Sequence, residues 1–283
     1  MKRKKAGIIA SYAALTVMSI IWLLPIVWVV LTSFRATPGV ASPTFIPRKF
    51  TLNNYRTLFF PTGNQATYIM FGKWLWNTTY VAVLNMVFST LLTLGTAYAL
   101  SRFRFRGRKA IMNIALILGM FPGFMAMIAV YLILNMLGLL NRPLALFLVY
   151  SCGAGLNFYV SKGYFETIPY DLDEAAMIDG ANKWQIFSKV ILPLAKPIIV
   201  YTALMAFMAP WMDFILANMI LRNPEEKTVA VGLYGLVMEN ADLFNNFTVF
   251  AAGCVVVAFP IVLMYVLLQR FIIEGIAAGA VKG

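Results

Sequence analysis

Six long apolar stretches constrain the fold of this chain more than any other feature of its sequence. Each is about as long as the 18 or so residues that a helix needs to cross a bilayer, and they cover about residues 8–32, 75–100, 110–137, 143–161, 198–221 and 248–270. Of the 283 residues, 61% are hydrophobic and only 12% are charged, whereas a soluble domain is about half apolar and a quarter charged. The sequence therefore predicts an all-α integral membrane protein with six transmembrane helices in a single domain.

The basic residues indicate how these spans are oriented. Of the 23 lysines and arginines, four precede the first span, five lie in the segment 102–109, four in the loop 162–197 and two, Arg270 and Lys282, at or after the end of the last span. Because positive residues collect on the cytoplasmic side, we expect both termini and these two loops to be cytoplasmic. The loop 33–74 carries five basic residues, but long loops translocate with less regard to charge. We therefore predict a multi-pass protein of the cell (plasma or inner) membrane, with an external loop at 222–247 and a cytoplasmic tail at 271–283.

The residue types that are absent or isolated narrow the function further. The chain has no histidine, which is the commonest metal ligand and the usual general base, and we predict no metal site and no catalytic residue. Cys152 and Cys254 lie far apart in apolar spans, so we interpret them as packing residues and not as a disulfide. The net charge of +12 follows from the topology, since the basic residues lie beside the spans, and nucleic-acid binding is not expected.

A small, charged segment interrupts the apolar pattern between the fourth and fifth spans. It begins DLDEAAMIDG, in which Asp171 and Glu174 have the spacing of a capping box. Gly180 is placed to end this helix in a left-handed turn. One helical face would hold the side chains of Leu172, Ala175, Ala176 and Asp179. The segment is therefore predicted to be a short helix whose smooth face another protein can grip.

A second amphipathic helix is predicted directly after this glycine. Asn182 and Gln185 repeat the spacing of a capping box, and Trp184, Phe187 and Ile191 recur at helical spacing on one face. An ordinary interfacial helix that links two spans fits the same pattern. These residues alone therefore leave both interpretations open.

The same segment resembles the signature of importer-type ABC permeases. That signature is Glu-Ala-Ala, three residues, Gly, nine residues, an aliphatic residue, any residue and Leu-Pro, and it corresponds here to Glu174, Ala175, Ala176, Gly180, Val190, Leu192 and Pro193. Val190 stands where isoleucine is usual. Three longer stretches resemble carbohydrate permeases of the MalG-type maltose/maltodextrin family, namely KGYFETIPYDLDEAAMIDGA, PWMDFILANMILRNPEEKTVAVGLY and the final GIAAGAVKG. The resemblance covers about the C-terminal half of the chain.

This resemblance implies the type I ABC importer permease fold and the membrane-spanning subunit of an ATP-driven sugar importer, with maltose or maltodextrin as the solute. Solute would move by alternating access, as helix bundles rock around a central site. The implied partners are a homologous second permease subunit, a cytoplasmic ATPase dimer and an extracytoplasmic sugar-binding protein. No cofactor would be bound by this chain, since ATP and magnesium belong to the ATPase. The chain has no nucleotide-binding loop, because its nearest Gly-Lys, Gly72-Lys73, is followed by tryptophan.

The resemblance also implies which residues contact these partners. A coupling helix would dock on the ATPase through Asp171, Leu172, Asp173, Glu174, Ala175, Ala176, Asp179 and Gly180. The tail would reach the ATPase dimer through Ala278, Gly279, Ala280, Val281, Lys282 and Gly283. The external loop 222–247 would contact the binding protein.

Trp211 and Asp213 are the candidate residues of a substrate pathway. An ionisable residue within a membrane helix faces the bundle interior or water, and an aromatic ring beside an acid suits a sugar. Two other interpretations of Asp213 stay open. It would instead cap the helix break made by Pro210, or pair with the partner permease.

A self-contained secondary transporter or channel is the alternative function. It would need coupling acids within the membrane or an inverted repeat. Asp213 is the one acid within the predicted spans, and no repeat of the first three spans is apparent in the last three. A membrane-bound enzyme is disfavoured, because no span carries a serine–lysine pair, paired aspartates or a histidine cluster.

Overall fold

The computed structural model describes the backbone of residues 2–39, 44–154, 156–238 and 243–280, and the side chains of residues 7–39, 44–154, 156–238 and 246–271. These parts of the chain are helical apart from turns, loops and one isolated antiparallel bridge between Arg35 and Phe50. The helices are α1 (Lys2–Ser33), α2 (Asn53–Phe59), α3 (Phe71–Arg102), α4 (Arg108–Met120), α5 (Gly123–Met136), α6 (Pro143–Ala154), α7 (Tyr159–Glu166), α8 (Asp171–Ile178), α9 (Lys183–Gln185), α10 (Leu192–Leu194), α11 (Lys196–Met212), α12 (Ile215–Ile220), α13 (Val229–Met238) and α14 (Leu243–Ala280). Short 3-10 helices cover Gly63–Thr67 and Pro224–Glu226, and a π-helix covers Ile186–Ile191. The prediction of an all-α chain is confirmed.

Three helical segments are long and apolar enough to cross a membrane on their own, and three bent pairs of helices meet the same test jointly. The single segments are Gly7–Ser33, Gly63–Arg102 and Asn246–Phe271. The pairs are α4 with α5, α6 with α7, and Lys183–Leu194 with α11, bent by 100°, 42° and 83°. The described residues therefore offer six candidate spans when each pair counts as one.

The third predicted span, 110–137, is not a straight helix. It divides into α4 and α5, which meet at 100° around Phe121 and Pro122. Phe121 has an extended backbone, with φ −68° and ψ 138°. Proline crowds the residue before it out of the helical conformation, and it has no N–H for the helical ladder. Pro122 therefore explains the bend.

The bounds of the last two spans also differ from the prediction. The helix α11 begins at Lys196 and ends at Met212, and Asp213 then has an extended backbone, so the predicted span 198–221 is interrupted before α12. The helix α14 continues to Ala280, although the prediction ended it near residue 270. The helix therefore extends into the stretch 271–283 that was predicted to be the cytoplasmic tail.

Two compact units divide the chain, Met1–Gly72 with Gly232–Phe259 and Lys73–Val231 with Pro260–Gly283. In the first unit, the buried Asn54 donates its side-chain amide to the carbonyls of Ser33 and Arg35, both at 2.9 Å. Its oxygen accepts from the Thr248 hydroxyl at 3.2 Å. This one side chain therefore joins the end of α1 to α14 within that unit.

The second unit contains two buried apolar clusters, and α3 contributes to both. Val81 and Leu146 belong to one cluster, and Tyr98 and Phe165 belong to the other. Between them, residues 85–93 of α3 carry polar side chains at every fourth position. These polar side chains border the cavity described next.

Candidate functional site

A cavity of about 790 Å³ lies within the second unit, between α3, α5, α6, α7 and α11. Its polar lining includes Asn85, Ser89, Thr93, Tyr150, Thr202 and Asp213. Hydroxyl and amide groups both donate and accept hydrogen bonds, and among the described lining residues they outnumber the one carboxylate. The lining therefore suits a neutral, hydroxyl-rich solute, and the volume falls in the usual range for ligand sites of about 300–1,000 Å³.

The α3 side of the cavity is a row of polar residues four positions apart. Side chains at this spacing share one face of a helix. The Thr93 hydroxyl donates to the Ala154 carbonyl at 3.0 Å, and the Ser89 hydroxyl donates to the Asn85 side-chain oxygen at 2.5 Å. The row is therefore held in place by bonds to α6 and within α3 itself.

Asn85 also explains how α11 tolerates a proline. Its side-chain amide donates to the Ala206 carbonyl at 2.7 Å. In an α-helix that carbonyl would accept from the N–H four residues later, but residue 210 is proline and has none. Asn85 supplies the missing donor, which is how a neighbouring helix makes an internal proline tolerable in a membrane span.

Asp213 lies at the cavity and also caps a helix. One carboxylate oxygen accepts from the Tyr150 hydroxyl at 2.5 Å, and the other accepts from the Leu216 N–H at 3.2 Å, in the first turn of α12. The cavity and the cap were separate interpretations of this acid, and the geometry contains both. Trp211, the other candidate, is 4% exposed beside Phe207 and lies outside the lining of the cavity.

The charged segment forms the predicted helix, turn and second helix, with one error in its capping. Gly180 ends α8 with φ +82°, and Asn182 and Gln185 form a capping box, as predicted. The box predicted at Asp171 and Glu174 is wrong. The residue before the helix is Tyr170, which makes no side-chain capping bond. The helix therefore begins one residue too early for the box. Asp171 and Glu174 lie in its first turn instead, where the positive end of the helix dipole stabilises their negative charges.

The exposed face of α8 differs from the predicted one. Ala176 is half-buried against the apolar cluster of Tyr98, whereas the other three members of the predicted face, Leu172, Ala175 and Asp179, are exposed. Met177 and Ile178 are exposed by 41% and 87%, and they were not among the predicted site residues. Large apolar side chains in the open are typical of a surface that contacts another protein or the membrane.

The second helix also departs from its predicted face. Trp184 is 69% exposed, whereas Ile191 is fully buried. A π-helical stretch runs from Ile186 to Ile191 and turns the later side chains relative to a regular α-helix. Phe187 lies between the two, since its ring is 5.7 Å from that of Trp184 and it packs against the cluster that contains Ile191. The predicted face is therefore kept only in part, with Trp184 exposed and Ile191 in the core.

Arg102, the last residue of α3, is joined to the start of this segment by several contacts. Its Nη2 lies 3.3 Å from Asp173 Oδ2 and donates to the Ile168 carbonyl at 2.9 Å. The guanidinium lies 4.6 Å from the centre of the Tyr170 ring, and the Tyr170 hydroxyl donates to the Arg102 carbonyl at 2.6 Å. Both charged side chains are only 4% exposed. Sequence reasoning missed this pair because it counted Arg102 only toward membrane topology.

The opposite end of α3 contacts the loop that follows α12. The Trp74 indole donates to the Pro224 carbonyl at 2.7 Å, and the Asn77 amide donates to the carbonyls of Glu225 and Lys227 at 2.9 and 3.1 Å. These bonds fix the first part of the predicted external loop 222–247. The later part includes α13. Residues 239–242 of this loop lie outside the described residues.

The predicted ATPase-contacting tail is described only in part. The backbone of Ala278, Gly279 and Ala280 belongs to α14, but their side chains lie outside the part of the chain that the structure describes. Val281, Lys282 and Gly283 lie outside the described residues. Their predicted contact with an ATPase stays a prediction.

Residues 91–277 match the family described as binding-protein-dependent transport system inner membrane component. The chain belongs to this family. It is therefore a permease, the membrane component of an ABC importer, and in such systems a separate ATPase hydrolyses ATP. The matched residues include the charged segment and most of the cavity lining, although Asn85 and Ser89 precede them.

Two relatives in Bacillus subtilis strain 168 match this permease over nearly its whole length. The galactooligosaccharides transport system permease protein is 37% identical over 282 residues, which are 99% of this chain and 98% of the relative. The maltodextrin transport system permease protein is 34% identical over 276 residues, which are 97% and 96% of the two chains. These matches confirm the resemblance to carbohydrate permeases.

A solved structure shares the fold of the permease. It is a chain of a bacterial ABC transporter involved in the import of the acidic polysaccharide alginate, and it superposes with a TM-score of 0.78 at 26% identity. The match covers 95% of this permease and 98% of that chain. The predicted type I importer permease fold is therefore confirmed.

Proposed function

We propose that this permease is the membrane-spanning subunit of an ATP-driven oligosaccharide importer, with maltodextrin as the first solute to test. The observation that carries the proposal is the set of hydroxyl and amide groups in an otherwise largely apolar cavity, in a chain whose relatives are named as maltodextrin and galactooligosaccharide permeases. Sugars present hydroxyl groups in every direction, and side chains that both donate and accept can satisfy them in more than one pose. A cavity that accepts more than one pose of the sugar suits a transporter, because the sugar must leave the cavity again.

Asp213 is proposed to contact the sugar. It lies at the cavity, and its carboxylate accepts two hydrogen bonds from Tyr150 and Leu216. A carboxylate has about four lone-pair sites, so acceptor capacity remains for a sugar hydroxyl. Trp211 is proposed to support α11 by packing and to have no direct contact with the sugar, because it is buried beside Phe207.

The segment from Asp171 to Gly180 is proposed to be the coupling helix that docks on a cytoplasmic ATPase dimer. Its exposed members are Asp171, Leu172, Glu174, Ala175, Asp179 and Gly180, and the structure adds Met177 and Ile178. Asp173 is proposed to hold the helix in place through its ion pair with Arg102 and not to contact the ATPase, since its side chain is buried. Exposed apolar groups flanked by acids fit a partner groove that is apolar with a basic rim.

The remaining partners and the orientation are proposed on the same basis. A homologous second permease subunit and an extracytoplasmic sugar-binding protein would complete the importer, and both termini would be cytoplasmic by the distribution of basic residues. The tail 278–283 would contact the ATPase, which binds the ATP and magnesium. A crystal structure related in fold contains an alginate ABC transporter in complex with a pentasaccharide-bound periplasmic protein.

The test is purification of the chain in mild detergent together with the proteins encoded beside it. The proposal predicts that an ATPase and a second permease copurify, and that the accompanying solute-binding protein binds an oligosaccharide. Titration of that protein with maltodextrins, galactooligosaccharides and alginate oligosaccharides separates the solutes. A chain that purifies alone and still transports would support the secondary transporter or channel instead.

A further inference from the structure

The helix α3 connects the coupling helix to the cavity. It runs without a proline from Phe71 to Arg102, and it carries both the polar row of the cavity and the arginine that contacts α8. We propose that displacement of the coupling helix reaches the cavity through α3, and that Arg102 is the positioning residue that joins the two. This inference rests on the proposed coupling of α8 to an ATPase, but it does not depend on which solute is carried.

The contacts of Arg102 with Ile168, Tyr170 and Asp173, here called the Arg102 link, join the end of α3 to the first turn of α8 and to the turn before it. One contact is an ion pair, one is a hydrogen bond to a carbonyl, and one stacks the guanidinium on an aromatic ring. The Tyr170 hydroxyl bonds back to the carbonyl of Arg102 itself, so the main chain of α3 is included. Arginine's planar fork makes several directional contacts at once, which fixes orientation as well as distance.

The covalent route that leads from α8 to α11 is less direct. After α8 the chain turns at Gly180 and passes through a π-helical stretch (Ile186–Ile191) before the 83° bend into α11. Before α8, residues 167–170 form a turn after α7. Arg102 and Asp173, by contrast, join α3, which is one unbroken helix, directly to α8 through side chains that are 4% exposed.

A shift at Arg102 would be transmitted along α3 to the cavity wall. Thr93 and Asn85 lie nine and 17 residues before Arg102, which is about 14 Å and 25 Å along an α-helix. Asn85 in turn holds the Ala206 carbonyl of α11, so movement of α3 also acts on the part of the cavity wall that α11 forms. The far end of α3 is fixed to the loop 224–227 by Trp74 and Asn77.

The test compares two paired neutral variants of the assembled complex. Arg102→Gln with Asp173→Asn removes the buried ion pair without leaving a lone charge, which would itself be destabilising. The matched control, Lys73→Gln with Glu225→Gln, removes an ion pair of 2.9 Å at the other end of α3, whose side chains are more than half exposed. A probe at Thr93→Cys, in a chain with Cys152→Ala and Cys254→Ala, reports the cavity by its rate of reaction with a small thiol reagent.

We expect ATP with vanadate to change the labelling rate of Thr93→Cys by about fivefold or more in the complex with Arg102 and Asp173 intact. We expect the same in the control complex with Lys73→Gln and Glu225→Gln. In the Arg102→Gln/Asp173→Asn complex we expect a change below about twofold, while the ATPase still copurifies. A change of about fivefold in the labelling rate of that complex would overturn the proposal. An equal loss of the change in the control complex would also overturn it. Failure of the neutral pair to assemble would show a purely structural role and would also overturn it.

The same experiment keeps this inference separate from the proposed solute. A nucleotide response at Thr93→Cys that is lost only with the Arg102 link supports the inference even if the complex takes up none of the oligosaccharides tested. If nucleotide does not change the labelling rate even in the complex with Arg102 and Asp173 intact, both the role of the Arg102 link and the proposed coupling through α8 would be overturned.

Discussion

The Asn85 side-chain amide and the Ala206 carbonyl are joined by a hydrogen bond of 2.7 Å, one residue on each of two helices that line the cavity. The carbonyl is available because Pro210, four residues later, has no N–H. The bond therefore ties the polar row of α3 to the point at which α11 is weakened. It also places a polar side chain inside the bundle for a structural reason that is independent of any solute.

We expect Asn85→Leu to lower the stability of the purified protein by about 1–3 kcal/mol, because the Ala206 carbonyl loses its donor. Thermal denaturation in detergent measures the effect. In a Pro210→Ala background, residue 210 has an N–H of its own for this carbonyl, and the same substitution should cost clearly less. Equal costs in the two backgrounds would contradict this account of the bond.

For Asp213, three substitutions separate the charge from the hydrogen bonds. Asp213→Leu removes both bonds within the protein and also the proposed bond to the sugar. It should lower transport about tenfold or more, since a hydrogen bond to a charged group contributes about 1.5–3 kcal/mol. Asp213→Asn keeps an acceptor for the Leu216 N–H, and Tyr150→Phe removes only the tyrosine hydroxyl. We expect all three to assemble, with uptake measured in reconstituted vesicles. Loss of assembly in Asp213→Leu would point to the helix cap alone, and normal uptake would remove Asp213 from the site.

At Gly180 the backbone conformation should decide the outcome. Its φ of +82° disfavours a side chain, although no atom lies within 4 Å of the position that a Cβ would take. Gly180→Val should therefore strain the turn by about 1–2 kcal/mol, whereas asparagine visits this conformation more readily. We expect Gly180→Val to lose ATPase copurification while Gly180→Asn retains most of it. The idea fails if the two variants behave alike.

The predicted orientation can be tested with single cysteines in a chain that lacks Cys152 and Cys254. Arg142 and Arg106 are both exposed, and they lie in loops assigned to opposite sides. A cysteine at residue 142 should react with an impermeant thiol reagent added outside intact cells, and one at residue 106 should react only after permeabilisation. The reverse pattern would place both termini outside.

Local sequence patterns were sufficient for part of this structure. The apolar runs indicated the spans, and the positive φ of Gly180 and the capping box of Asn182 and Gln185 followed from residues within a few positions of each other. The bend at Pro122 was missed, because a proline inside a membrane span is compatible with either a tolerated kink or a break. Which of the two occurs depends on the helices that pack around it.

The pairing of Arg102 with Asp173 was not predictable in the same way. The two residues are 71 positions apart, and each had a sufficient local explanation, as a topogenic charge and as a surface acid of a helix. Only the folded chain shows that both side chains are buried together. For the same reason Ala176 was assigned to an exposed face, although it packs against the chain's own core.

The central claim is that an external ATPase drives oligosaccharide import through α8, and the most direct test is uptake of a labelled oligosaccharide by vesicles that contain the complete complex. Ile178→Asp is the matched variant, because Ile178 is 87% exposed and its replacement should leave the fold intact. The account predicts uptake by the unmodified complex only with ATP and the binding protein present, and loss of both uptake and ATPase copurification in Ile178→Asp at unchanged abundance of the chain. Uptake by the chain reconstituted alone, or undiminished uptake by Ile178→Asp, would contradict it.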